Sequence, residues 1–121
     1  MTAVTPAVAV RVVPAPRRGQ ARGSRWRALL EARWRERLEV LTDLSVAFHD
    51  SAALAPGAQP HESQRALTRR AVVARYALAE TDKALHRLAT GQFGRCEDCA
   101  GDIPQARLLA EPEARYCERC A

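Results

Sequence analysis

The four cysteines of the chain, Cys96, Cys99, Cys117 and Cys120, form two Cys-x2-Cys pairs separated by 17 residues. Each pair can close a tight knuckle with both sulfurs facing one point, and two knuckles supply the tetrahedron of soft ligands that Zn2+ accepts. Two disulfides would suit a secreted chain with a signal peptide, and none is visible. A redox Cys-x-x-Cys uses one pair and leaves the other unexplained. Four cysteines also suit an iron–sulfur cluster, but two separated knuckles are the commoner zinc pattern, so one structural Zn2+ is the preferred reading. A closed four-thiolate site keeps no open coordination position and so offers no metal-bound water as a nucleophile.

The segment around the cysteines is too short to fold by apolar burial alone, so the metal must supply part of its folding free energy. From Phe93 to Ala121 it carries Arg95, Arg107, Arg115 and Arg119 against six acids, Glu97, Asp98, Asp102, Glu111, Glu113 and Glu118. That balance argues against a finger that grips nucleic-acid phosphates. Positive charge gathers instead at the other end, where residues 1 to 37 hold nine arginines against Glu31 and Glu36. Direct contact with nucleic acid through this Arg-rich N-terminus is the less favoured reading; a solvated basic face with a disordered tail is preferred.

The metal site needs elements to carry it. Residues 1–23 contain Pro6, Pro14, Pro16, Gly19 and Gly23 beside an arginine cluster, which predicts a disordered basic arm. Ser24 offers an N-cap to a run free of Pro and Gly that reaches Ala55. Within it Leu30, Trp34, Leu41, Leu44 and Phe48 fall on alternating steps of four and three, with Arg37 the one polar member of the series. Pro56, Gly57 and Pro60 break the helix, and a second helical run extends from about His61 to Thr90. There Leu67, Ala71, Ala74, Leu78, Thr81, Leu85 and Leu88 repeat the steps 4, 3, 4, 3, 4, 3 without a gap, which is a coiled-coil seam. The expected fold is mainly α: an antiparallel two-helix coiled-coil hairpin over 24–90 with its tip at about 50–61, then a small four-cysteine zinc finger over 91–121. A hairpin of that kind is about 45 Å long at 1.5 Å per residue, and its length makes most sense as a probe entering a partner's groove or channel.

From Leu85 to Cys120 the residues Leu85, Arg87, Leu88, Gly91, Phe93, Gly94, the four cysteines, Ile103, Arg107, Leu108, Ala110, Pro112 and Ala114 follow one pattern. It resembles the C-terminal finger of the DksA/TraR family of bacterial regulators. Ala100 is the main local departure, since the family has glycine directly after the second cysteine. The resemblance implies a protein without chemistry of its own that docks on RNA polymerase, inserts the hairpin into the secondary channel and places acidic tip residues near the catalytic centre. In the best-known branch the tip carries D-x-x-D-x-A, whereas here Asp43 leads to Val46 and Asp50 to Ala53. The acidic tip residues available for a partner are then Asp50 and Glu62.

Other classes are less favoured. His49, His61 and His86 are scattered, no nucleophile, base and orienting group fall together, and no enzyme is expected. A zinc-ribbon nucleic-acid binder and a non-catalytic adaptor pairing through its helices are the alternatives. No run of about 18 apolar residues marks a membrane span. Arg11 interrupts the short apolar stretch Ala7–Val13, and the charges follow it, so it does not read as a signal peptide. The expected location is the cytoplasm and the expected state a monomer.

Overall fold

The computed structural model describes residues 18–59 and 62–121. Three helices follow in order: α1 (Arg18–Ala52), α2 (Gln64–Ala89) and α3 (Gln105–Ala110). Among the described residues there is no strand, only one antiparallel bridge between Arg95 and Asp102. Nor is any described helix long and apolar enough to cross a membrane.

The first helix starts earlier than its sequence signals. Ser24 is inside α1 and does not cap it, and both Gly19 and Gly23 are helical. Glycine costs a helix only about 1 kcal/mol, and extending a helix already nucleated by packing is cheap, so two glycines without a proline do not stop it. Of the arm expected at 1–23, residues 1–17 lie outside the described residues, and the remainder is the first turn and a half of α1. At its other end α1 stops at Ala52, three residues short of the expected Ala55, because the residue before Pro56 is pushed out of the helical region.

The reverse turn leads through Gly57, at φ 85°, toward Pro60 and His61, which lie outside the described residues. Ser63 then caps α2, its Oγ accepting from the Ala66 N–H at 3.1 Å. The C-terminus closes with a Schellman motif. Gly91 takes the left-handed conformation at φ 76°, its N–H reaches the Leu88 carbonyl at 3.4 Å, and the Gln92 N–H reaches Arg87 at 2.8 Å.

The two helices pack antiparallel along the expected seam. Leu30 and Leu44 of α1 and Leu67, Thr81 and Ala84 of α2 are buried, with Leu41, Ala71, Ala74, Leu78, Leu85 and Leu88 half-buried beside them. Phe48, nominally in the series, stays 38% exposed, near the hairpin tip. At 1.5 Å per residue the 35 residues of α1 extend about 52 Å, which separates the tip widely from the cysteines.

A second small core joins hairpin to finger. Cys96, Ile103, Leu108 and Ala114 are buried together, with Trp26 and Phe93 packed against them. The Trp26 and Phe93 rings sit 5.1 Å apart at 49°. Trp26 belongs to α1, so the finger rests on the start of the hairpin as well as following its end.

Candidate metal centre and helical probe

The first knuckle is built from short-range hydrogen bonds. Ile103 N–H donates to the Gly94 carbonyl at 2.8 Å, Cys96 N–H to Gly101 at 2.8 Å, and Ala100 N–H to Cys96 at 3.0 Å. Gly94 sits at φ 77° with Leu108 Cδ1 3.4 Å from where a Cβ would lie, so glycine serves both the turn and the close approach. The second knuckle is closed by Cys120 N–H and Ala121 N–H, both donating to the Cys117 carbonyl, at 3.1 and 2.9 Å. Glu97 N–H donates to the Arg115 carbonyl at 2.9 Å and ties the two knuckles together. Arg107 Nε donates to the Tyr116 carbonyl at 2.9 Å, which anchors the short helix α3 to the second knuckle.

This framework brings Cys96, Cys99, Cys117 and Cys120 to one point, with all four sulfurs within 4.8 Å of one another. None is in a disulfide. The Cys99 and Cys117 sulfurs are 3.7 Å apart. Four ligands around zinc at about 2.3 Å stand roughly 3.8 Å from each other, so this spacing fits a tetrahedral centre. Electrostatics points the same way. Backbone N–H groups of Cys99 and Cys117 hold the Cys96 thiol down, to about 6, while crowding by the neighbouring sulfurs, Cys117 first, pushes Cys120 up. Four thiolates cannot share this space without a cation. The cysteines are positioned to bind one metal ion, and when bound it would supply a structural cross-link with no open position for chemistry.

Ala100 carries a local penalty. It is the one non-glycine at positive φ among the described residues, at 60°, where a Cβ crowds the following carbonyl. Replacing Ala100 with glycine is expected to stabilise the zinc-loaded finger by about 1 kcal/mol, readable as a higher thermal midpoint with unchanged metal content.

Between the finger and the hairpin lies a polar joint that is not part of the cysteine motif. Glu113, 6% exposed, follows the fully buried Pro112 and enters the groove between α1 and α2. Arg33 grips its carboxylate with two bonds, at 2.7 and 3.0 Å. Arg37 donates to the same carboxylate at 2.6 Å, to the Ala77 carbonyl at 3.0 Å and to Thr81 Oγ1. Thr81 Oγ1 lies 3.0 Å from Glu113 Oε1, and Arg87 donates to the Glu113 carbonyl at 3.3 Å. Two polar seam positions mark the place in the sequence: Arg37 in the series of α1, and Thr81 in that of α2. A second, more exposed network on the same base links Arg115 to Glu97 at 2.7 Å and to Glu80 at 3.9 Å, with Arg87 3.7 Å from Glu97.

Burial pushes the Glu113 carboxyl up, but the bonds from Arg33 and Thr81 and the Arg37 charge outweigh it and leave the group below the ordinary range. Glu97 is likewise held down, first by its bond from Arg115. A native carboxyl with a depressed pKa contributes stability that is fully present above its unfolded pKa, about 4.3, and lost as pH falls through the folded value. The thermal midpoint is therefore expected to drop below about pH 4.3. Protonation of the thiolates acts in the same direction, so Glu113→Gln isolates the Glu113 share by showing a shallower acid limb in parallel melts.

At the far end, Asp50 is exposed in the last turn of α1. Glu62 is not free: Arg70 Nη1 lies 2.6 Å from its carboxylate. The two are therefore unequal: among the described residues Asp50 has no ion-pair partner, whereas Glu62 has Arg70. Of the nine arginines in residues 1 to 37, Arg33 and Arg37 are committed to Glu113, which weakens the reading of that stretch as a nucleic-acid grip.

The fold and the site together define a helical hairpin mounted on a closed four-cysteine metal finger. Residues 91–121 match the prokaryotic DksA/TraR C4-type zinc finger, so the finger is of that family. The chain is similar in structure to transcription factor DksA2 from Pseudomonas aeruginosa, with a TM-score of 0.76 and 25% sequence identity over 83% of this chain and 80% of that one. It is also 48% identical over 44 residues to an uncharacterized protein of Aquifex aeolicus (strain VF5). That match spans 36% of this chain and 30% of the relative.

Proposed function

We propose that the protein is a non-catalytic transcription regulator that binds RNA polymerase and presents the hairpin tip, with Asp50 foremost, inside the polymerase secondary channel. The observation that carries this reading is the DksA-like arrangement of hairpin and finger as one body, with a TM-score of 0.76 extending well beyond the finger. The hairpin also leaves Val72, Val73 and Tyr76 of α2 61 to 69% exposed, apolar surface that polymerase would cover. The four cysteines hold Zn2+ at the base, and the tip does its work by occupying space and placing charge, without turnover. The proposed place of action is the cytoplasm, where thiols stay reduced.

The test is binding to, and transcription in vitro by, the polymerase of the host. Wild type, Asp50→Asn and a Cys96→Ser, Cys99→Ser double variant are compared. Wild type should bind and change promoter output, Asp50→Asn should bind with a weaker effect, and the cysteine variant should fail at binding. Identical behaviour of all three would sink the channel reading.

A further inference from the structure

The geometry points to Glu113 as the residue that aims the hairpin: a positioning residue through which metal loading of the finger sets the direction and stiffness of the probe. The inference rests on the proposed channel function for its purpose, but its physical content concerns this chain alone.

Three observations converge on it. Glu113 lies on the segment that the metal orders. Only Ala114, Arg115 and Tyr116 separate it from the ligand Cys117, and Arg115 is bonded through its carbonyl to Glu97, next to the ligand Cys96. Any movement of the knuckles on metal loss is therefore passed directly to the Glu113 carboxylate. The same carboxylate is bound by both helices at once, by Arg33 and Arg37 from α1 and by Thr81 from α2. Arg37 completes the clamp by donating across to the α2 backbone at Ala77. Finally, Pro112, Glu113 and Ala114 are all buried between finger and hairpin, so the segment is a wedge with one seat.

An apolar contact such as Trp26 on Phe93 can slide with little loss, whereas a buried carboxylate shared by two arginines and a threonine is satisfied in one register only. A hairpin about 52 Å long turns a small rotation at this joint into a large displacement at the tip, since α1 has 35 residues. Zinc-loaded finger, seated Glu113 and aligned tip are thus successive links. Loss of the first or second leaves two helices that remain paired but point less definitely.

The test measures alignment directly. Spin labels are attached through non-canonical residues at Ala58 in the turn and Leu109 in α3, which keeps the cysteines free for zinc, and their distance distribution is recorded by pulsed electron resonance. Zinc-loaded wild type should give one narrow distribution. Glu113→Gln and, separately, Arg33→Gln should keep one zinc per chain and near-wild-type helix content while their distributions at least double in width; wild type stripped of zinc, in which the finger carrying Leu109 unfolds, should broaden further. A narrow, unshifted distribution in both zinc-loaded variants overturns the inference, and if Glu113→Gln does not fold, Arg33→Gln decides. Polymerase binding by the wild type is measured in parallel. A wild type that ignores polymerase removes the proposed function and leaves the distance result standing, whereas binding with unbroadened variants removes only the aiming role.

Discussion

Stripping the metal, by a strong chelator at neutral pH or by replacing Cys96 and Cys99 with serine, is expected to unfold residues 91–121 while much of the α1–α2 pairing survives. Structural zinc contributes on the order of 10–16 kcal/mol to small fingers, far more than any side chain here can offer. Without it the finger keeps only four buried core residues, Cys96, Ile103, Leu108 and Ala114, too few to order about 30 residues. The knuckle hydrogen bonds cannot substitute, because each is worth only about 1 kcal/mol net. The near-ultraviolet signal from Trp26 against Phe93 should disappear with the metal, since that ring pair bridges finger and hairpin. Far-ultraviolet helix signal should fall by much less, because α1 and α2 together hold 61 residues, the sum of 35 and 26, whereas α3 holds 6. A finger that keeps its near-ultraviolet signal after complete removal of zinc would contradict a structural metal.

The second large effect is expected at Leu30. This side chain is 0% exposed at the base of the hairpin, one helical turn from Arg33 and from Trp26. Leu30→Ala removes three buried carbons and leaves a cavity that two long helices cannot easily close, at a cost of about 2–5 kcal/mol. For a domain of this size each kcal/mol moves the thermal midpoint by about 4 °C, so a fall of roughly 8–20 °C is expected. Zinc content should be unchanged, because Leu30 lies outside the small core that packs around Cys96. Val46→Ala, at a position 53% exposed, is the matched control and should stay within about 0.5 kcal/mol of wild type. A Leu30→Ala protein as stable as that control would mean that the two helices are not held together by this seam.

Much of the architecture was legible because it is written locally. The Schellman end of α2 follows from Gly91 alone, and the breaker Pro56-Gly57 places the turn to within a few residues. The seam of α2 is legible from its unbroken repeat, and its expected members are buried or half-buried. What misled was also local: Ser24 and two glycines looked like a helix start, yet their small intrinsic penalties were overridden and α1 begins at Arg18. The sequence offers Asp50 and Glu62 as tip acids, and only the fold shows that Arg70 pairs with Glu62.

By itself, then, the sequence determined a four-thiolate metal finger and two seamed helices, because cysteine spacing, glycine stops and a heptad repeat act over a few residues and need no distant partner. The partner of the joint's arginines was decided by tertiary structure. Glu113 meets Arg33 across 80 positions of sequence and Arg37 across 76, and no local rule marks an acid between a proline and an alanine as the partner of two arginines on a helix that far away. Burial chose the pairing: once the wedge Pro112–Ala114 was forced between the helices, its carboxylate needed cations, and the arginine that interrupted the apolar series of α1 was there to supply one.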